Sequence, residues 1–187
     1  MLPDENAGCP MANMITVRQL REMKRRYPKA SVVCYVNTTA AIKAESDICC
    51  TSANAVKVVS SIREDIPIIF LPDKSLGDYV ARQCGRKMFL WNGYCPTHHR
   101  ILARDIIAVR REHPQAEVMV HPECTADVIE LADHALSTGG MRRYAGETDV
   151  PELIVGTEIG LLHALRKDNP EKAFYPASEM ADCPNWS

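Results

Sequence analysis

The chain has 187 residues, a length typical of one domain or two small ones. Its 22 lysines and arginines against 24 aspartates and glutamates give a net charge of -2, which argues against a surface built to bind nucleic acid or anionic lipid. Its longest uncharged run, residues 30–42, is too short to span a membrane, and residues 1–14 lack the apolar stretch of a signal peptide, so we expect a soluble, cytoplasmic protein.

Hydrophobic periodicity predicts alternating helices and strands in the first half of the chain. Apolar residues three and four apart predict a helix over residues 15–23, and the β-branched run at 31–36 predicts a buried strand. Further helices are predicted over 40–44, 53–62 and 76–83, the last closed by Gly85, with strands over 48–51 and 67–71. This order is typical of an α/β protein whose parallel sheet has helices on both faces.

The second half of the chain repeats the first at an ungapped shift of 86 residues. The shift pairs Cys9-Pro10 with Cys95-Pro96, Val32 with Val118, Asp47 with Asp133 and Ile68 with Ile154. We therefore predict two Rossmann-like three-layer αβα units with short parallel sheets, residues 1–86 and 87–187, arranged pseudo-symmetrically about one axis. Residues 87–91 are predicted as a strand of the second unit, and a third unit is predicted to begin near Cys183-Pro184.

Three of the eight cysteines, Cys9, Cys95 and Cys183, are followed by proline and occupy the same place in successive units. Equivalent loops of repeated units converge on one axis, so their thiolates would supply three metal ligands and leave a fourth position open. Thiolates select iron–sulfur clusters or zinc, and the absence of a CxxC pair disfavours a self-contained zinc site. A three-cysteine [4Fe-4S] cluster would leave one iron free as a Lewis acid. We expect core positions for the remaining cysteines: Cys34, Cys49, Cys50, Cys84 and Cys124.

Polar residues end the two equivalent buried strands. Tyr35 and Asn37 follow the first, and His121 and Glu123 follow its repeat, at the carboxyl edge where parallel sheets bind ligands. Such side chains can position a polar ligand and move protons. The alternative is local: Asn37 would cap the next helix and Glu123 would lie in the first turn of its own.

Hydroxyl groups recur where short strands are predicted to enter helices. Ser52 and Thr138 are related by the same shift, and Ser137 precedes Thr138. Helix starts bind carboxylate or phosphate, and ordinary N-capping is the alternative. Two such sites in register favour an anionic ligand. His98, three residues after Cys95, is a candidate acid or base near the cluster.

The sequence resembles quinolinate synthase over nearly all of its length. The shared motifs are GCPMANM, YVNTTAAIKAESDICCTSANAV, FLPDKSLGDYVA, GYCPTHHR, HPEC, STGGM, VGTEIGLLHALRK, and FYPA with CPN. In that family three homologous α/β units surround a [4Fe-4S] cluster, and iminoaspartate condenses with dihydroxyacetone phosphate to give quinolinate for NAD biosynthesis. Family chains begin with a further α/β unit and continue beyond the third cysteine, so the resemblance implies a fragment comprising the central and third units.

The resemblance also implies roles for individual residues. Cys9, Cys95 and Cys183 would hold the [4Fe-4S] cluster. The substrate pocket would be lined by Tyr35, Asn37, Ser52, His121, Glu123, Ser137 and Thr138. Of these, Glu123, His121 and Tyr35 would be catalytic. L-aspartate oxidase would supply the iminoaspartate.

Two other functions are compatible with the pattern. One is another tri-cysteine [4Fe-4S] enzyme, resembling the diphthamide-forming radical enzymes, although the YVNT and HPE motifs argue against it. The other is an inactive remnant that binds only metal or a partner subunit. Cleavage of S-adenosylmethionine would favour the first, and a missing first unit encoded in an adjacent reading frame would bear on the second.

Overall fold

The computed structural model describes residues 8–183, which form two compact units. The first ends at Cys95 and the second begins at Pro96. Each unit contains one four-stranded parallel sheet with helices packed on it, which confirms the predicted α/β class. Among the helices of residues 8–183, none is long and apolar enough to cross a membrane.

The first unit has the strand order β2-β1-β3-β4, with all strands parallel. Its strands are β1 (Ser31–Tyr35), β2 (Ile48–Cys50), β3 (Ile68–Leu71) and β4 (Phe89–Leu90). Its helices are α1 (Val17–Arg26), α2 (Ala40–Ala44), α3 (Ala55–Ser60) and α4 (Lys74–Cys84). Gly85 ends α4 in the left-handed conformation, as predicted.

Both faces of this sheet are buried because successive strand residues point to opposite sides. Val33 and Phe70 pack on the side of α3 and α4, in one core cluster. Cys34 and Ile69 belong to a second cluster that includes Leu20 of α1. The continuous apolar runs of β1 and β3 therefore report burial on both faces.

The second unit repeats this topology with the order β6-β5-β7-β8. Its strands are β5 (Glu117–Val120), β6 (His134–Ala135), β7 (Glu152–Gly156) and β8 (Ala173–Pro176). Its helices are α5 (Ala103–Glu112), α6 (Ala126–Glu130), α7 (Thr138–Glu147) and α8 (Leu161–Asp168).

The strand predicted at residues 87–91 belongs to the first unit and not to the second. It forms β4, which pairs with β3 through Ile69 and Phe89, and Phe89 stacks on Tyr27 with ring centroids 3.6 Å apart. In the second unit Tyr175 of β8 stacks on His113 in the same way, at 3.5 Å. Each sheet is thus completed by its own fourth strand, and the division falls after Cys95 rather than after residue 86.

Candidate functional site

The carboxyl end of β5 carries the predicted histidine and glutamate. His121 and Glu123 are 3% and 2% exposed. The backbone N–H of His121 donates to the carbonyl of Gly156, which extends the pairing of β5 with β7 by one residue. The sheet itself therefore holds both side chains in the interior of the second unit.

Glu123 lies against two imidazoles. Its Oε2 is 2.8 Å from Nδ1 of His98 and 3.6 Å from Nδ1 of His121. The two rings stack with centroids 4.6 Å apart. On the other side of the His98 ring, Nε2 is 2.9 Å from the hydroxyl of Thr157. All four residues are buried, and Thr157, His98 and Glu123 form one continuous polar chain.

Burial keeps His121 uncharged. Its pKa falls from 6.5 to about 4, chiefly because burial penalises the charged form; the neighbouring His98 contributes to the fall and Glu123 opposes it. The backbone N–H of Glu123 donates to Nδ1 of His121 at 3.3 Å, which assigns the ring proton to Nε2. At neutral pH the site therefore combines a neutral imidazole with a carboxyl group, a pair suited to proton transfer.

Thr157 was not predicted from the sequence, and His98 was predicted only as a nearby acid or base. Thr157 directly follows β7, at the same sheet edge as His121. Its place after a central strand is the signal that could have identified it. His98 begins a short 3-10 helix, His98–Arg100, just after the second Cys-Pro pair.

In the first unit the structure brings Tyr35 and Asn37 together. Tyr35 is the last residue of β1 and is 5% exposed, and the side-chain amide of Asn37 donates to its hydroxyl at 3.0 Å. The capping alternative is wrong for Asn37, because Thr39 is the N-cap of α2. It is also wrong for Glu123, which precedes Thr125, the N-cap of α6.

The predicted helix-start hydroxyls differ in their surroundings. Ser137 is the N-cap of α7, where its Oγ accepts from the N–H of Gly140 at 3.2 Å, and Thr138 is the exposed first residue of that helix. Ser52 lies in a turn before α3, which begins only at Ala55, so its predicted place at a helix start is wrong.

A local side-chain contact explains the turn before α3. Oδ1 of Asn54 accepts hydrogen bonds from the N–H and the hydroxyl of Thr51, at 2.7 and 3.1 Å. This Asx-type contact closes residues 51–54 into a turn and delays the helix.

The three cysteines of the Cys-Pro pairs are half-buried and form no disulfide. Cys9 precedes a 3-10 helix, Pro10–Asn13, and both Cys9 and Cys95 pack against the same core cluster of the first unit. Half-buried thiols outside disulfides suit iron or zinc as ligands. Pro184, and with it the predicted start of a third unit, lies outside the described residues.

The other cysteines are mostly structural, as predicted. Cys34, Cys50 and Cys124 are buried and Cys84 is half-buried. Burial raises the pKa of Cys34 to about 11 and of Cys50 to about 12, so both remain protonated thiols, which are poor metal ligands. The prediction for Cys49 is wrong, since it is exposed on the edge strand β2, where alternate residues face opposite sides.

Comparison with known proteins identifies the family. The family model described as quinolinate synthetase A protein matches residues 1–187. A quinolinate synthase from Dehalococcoides mccartyi strain 195 is 56% identical over 185 residues, which cover 99% of this chain and 61% of that protein. The quinolinate synthase of Methanosarcina barkeri strain Fusaro is 52% identical over 185 residues, covering 99% of this chain and 60% of its own length. The chain therefore spans about 61% of the curated relatives it matches, and it belongs to the quinolinate synthetase A family.

Proposed function

We propose that this chain serves quinolinate synthesis, the condensation of iminoaspartate with dihydroxyacetone phosphate in NAD biosynthesis. Membership of the family supports the reaction class. The structural observation that carries the proposal is the buried chain of Thr157, His98 and Glu123 beside the neutral His121. Condensation and dehydration both require groups that accept and return protons in a site closed to water.

Cys9, Cys95 and Cys183 are the residues we propose as ligands of a [4Fe-4S] cluster. Two observations support this assignment: the thiols are half-buried and form no disulfide, and Cys9 and Cys95 pack against the same core cluster. When bound, such a cluster supplies a Lewis acid at its open iron. We place the protein in the cytoplasm, because that compartment keeps cysteines reduced and none of the eight forms a disulfide here. L-aspartate oxidase is the proposed source of iminoaspartate.

Glu123 is the proposed proton carrier. The carboxylate of Glu123 lies 2.8 Å from Nδ1 of His98, and the Thr157 hydroxyl contacts Nε2 on the far side of that ring at 2.9 Å. Because the Thr157 contact fixes the ring, the imidazole stays beside the carboxylate as protons arrive and leave. His121, with its proton on Nε2, is the proposed hydrogen-bond donor to an oxygen of the substrate.

Tyr35 and Asn37 are the proposed polar contacts from the first unit, with Tyr35 as its proton-transfer group. The amide of Asn37 orients the phenol of Tyr35. Ser52, Ser137 and Thr138 are proposed to contribute hydroxyl groups for the carboxylate or phosphate of the substrates. The N-terminus of α7 adds a partial positive charge at Ser137 and Thr138.

Anaerobic reconstitution tests the cluster assignment. The wild-type protein should gain the thiolate-to-iron absorption at about 400 nm. Each of the variants Cys9→Ser, Cys95→Ser and Cys183→Ser should show a much weaker absorption. Cys34→Ser and Cys124→Ser are matched controls, since both remove a buried thiol, and they should retain the absorption. Full iron content in Cys9→Ser or Cys95→Ser would contradict the assignment.

The catalytic assignment needs a separate test in the iron-loaded protein. Millimolar quinolinate should change the electron paramagnetic resonance spectrum of the reduced cluster. Glu123→Gln preserves the shape of the side chain and should lower the rate of quinolinate formation by at least about 100-fold, the usual contribution of a general acid or base. An unchanged spectrum with quinolinate, or an unchanged rate in Glu123→Gln, would contradict the proposal.

A further inference from the structure

Asp73 is a fully buried carboxyl group outside the proton-transfer chain. It is 0% exposed and follows β3 as the N-cap residue of α4. Its Oδ1 accepts the N–H of Leu76 at 2.7 Å. A helix start is a favourable place for a buried carboxylate, because the free N–H groups and the helix dipole compensate its charge.

The second oxygen of Asp73 reaches a different part of the chain. Oδ2 accepts the backbone N–H of Cys95 at 3.0 Å. One carboxylate therefore ties the start of α4 to the cysteine at the end of the first unit. A helix cap alone needs only one of these two contacts.

The segment that leads to Cys95 is also fixed upstream of the cysteine. The N–H of Lys74 donates to the carbonyl of Gly93 at 2.8 Å, and the indole N–H of Trp91 donates to the carbonyl of Met14 at 3.0 Å. The contact with Asp73 acts on the backbone N–H of Cys95 itself. Its loss would loosen the backbone at Cys95 while the preceding residues keep their own contacts.

The second unit contains a related arrangement. The N–H of Ile159 donates to the carbonyl of Ala181 at 3.0 Å, in the place of the Lys74–Gly93 contact. Ala181 lies two residues before Cys183, as Gly93 lies two residues before Cys95. Glu158 has the place of Asp73 and accepts the N–H of Gly160 at 3.0 Å. An acidic residue after the third strand of each sheet, beside a fixed cysteine segment, is thus a feature of both units.

We propose that Asp73 is a positioning residue for Cys95, holding its backbone so that the thiol is presented in one orientation to the metal cluster. The proposal rests on the proposed role of Cys95 as a ligand. Preorganisation of this kind lowers the cost of ordering a ligand at the moment of binding. Asp73 acts on the metal site through the N–H of Cys95 and is not itself a ligand.

Hydrogen exchange in the metal-free full chain tests the contact without any cluster. In Asp73→Ser the shorter side chain remains a good N-cap for Leu76 but cannot also reach Cys95. We expect the Cys95 amide to exchange at least about tenfold faster than in wild type, as when a buried hydrogen bond to a charged acceptor is lost, with little change at Leu76. Asp73→Asn keeps one acceptor oxygen, so the Cys95 amide should exchange at a rate between those of the wild type and Asp73→Ser.

Thr16→Ala is the matched control, because it removes the N-cap of α1 in the same unit, where the Thr16 hydroxyl accepts the N–H of Gln19. It should leave exchange at Cys95 unchanged. Unchanged exchange at Cys95 in Asp73→Ser, or an equal increase in Thr16→Ala, would overturn the proposal.

The iron-loaded protein provides a second measurement. Asp73→Ser should release iron to a chelator at least about tenfold faster than wild type and than Thr16→Ala, because one ligand is less well held. Equal release rates in Asp73→Ser and wild type would overturn the positioning role. A wild-type protein that binds no cluster would instead contradict the proposed function, while the exchange experiment still decides whether Asp73 holds Cys95.

Discussion

The neutral state of His121 makes the stability of the protein depend on pH. Its pKa falls from 6.5 to about 4 on folding because the side chain is buried. Above pH 6.5 the imidazole is neutral in both states and contributes nothing to the pH dependence. Between about 6.5 and about 4 only the unfolded chain takes up the proton, so the free energy of unfolding falls as the pH falls, by on the order of 3 kcal/mol in total.

Urea unfolding of the metal-free protein at several pH values from 7.5 to 4.5 measures this loss. His121→Gln should flatten the curve, since glutamine does not titrate. His163→Gln changes an exposed histidine of α8 and should leave the curve unchanged. The burial argument would be contradicted if the free energy of unfolding of the wild type did not decrease as the pH is lowered from 6.5. It would also be contradicted if His121→Gln showed the same dependence on pH as the wild type.

At the level of single residues, the sequence predicted best where a polar residue follows a buried strand. Tyr35, His121 and Glu123 were predicted in this way, and the structure places all three, buried, at the carboxyl ends of central strands. Thr157 was missed because its contact with His98 spans 59 residues and depends on the tertiary structure. The exposure of Cys49 was missed for a similar reason, since its strand lies at the edge of the sheet, which the local pattern does not show.

At the level of elements, Arg86 closes the connection between α3 and β3. Its guanidinium donates to four backbone carbonyls, those of Val59, Ile62, Arg63 and Ile66, at 2.6 to 3.1 Å. Arg86→Met keeps the apolar stem but removes the guanidinium from all four carbonyls, of which those of Val59 and Arg63 still accept a backbone N–H. We expect a loss of about 2 to 3 kcal/mol in the free energy of unfolding, measured with urea.

Arg26→Met is the control for that substitution. Arg26 forms an exposed pair with Glu22 on α1 at 3.0 Å, and such pairs contribute less than about 1 kcal/mol. If Arg86→Met and Arg26→Met lower the free energy of unfolding equally, the carbonyl contacts of Arg86 do not cause the loss in Arg86→Met.

A second element-scale prediction concerns an aspartate that recurs in both units. Asp47 accepts the N–H of Val32 and Asp133 accepts the N–H of Val118, each at 2.8 Å. Asp133 also pairs with Arg110 at 2.9 Å. We expect Asp47→Ala and Asp133→Ala each to cost about 1 kcal/mol or more in urea unfolding, with the larger loss for Asp133→Ala. A larger loss for Asp47→Ala would contradict this ranking.

The repeat predicted the order of elements but not every residue correspondence. The shift of 86 places Ile68 opposite Ile154, whereas the structure pairs Val32 with Ile69 and Val118 with Ile154. The third strand of the second unit therefore comes one residue earlier than the ungapped shift predicts. Because side chains alternate, this difference puts Ile68 and Ile154 on opposite faces of their sheets, which similarity of residue type alone cannot reveal.

At the level of the whole molecule, the proposed ligands are distributed along nearly the entire chain. Cys9 and Cys95 belong to the first unit and Cys183 to the second. A metal cluster bound by the folded chain stabilises it by mass action. Because its ligands lie in both units, we expect the cluster to delay the unfolding of both.

Thermal unfolding of anaerobically reconstituted and metal-free protein tests this expectation. Hydrogen exchange then shows which residues the cluster stabilises. Reconstitution should raise the midpoint of the wild type and increase protection around Cys9, Cys95 and Cys183. Cys183→Ser should lose the increase in both units, because one missing ligand weakens the whole cluster. Cys49→Ser, which removes an exposed thiol, should keep it. An increase that survives in Cys183→Ser would mean that the iron is held within the first unit and that Cys183 has another role.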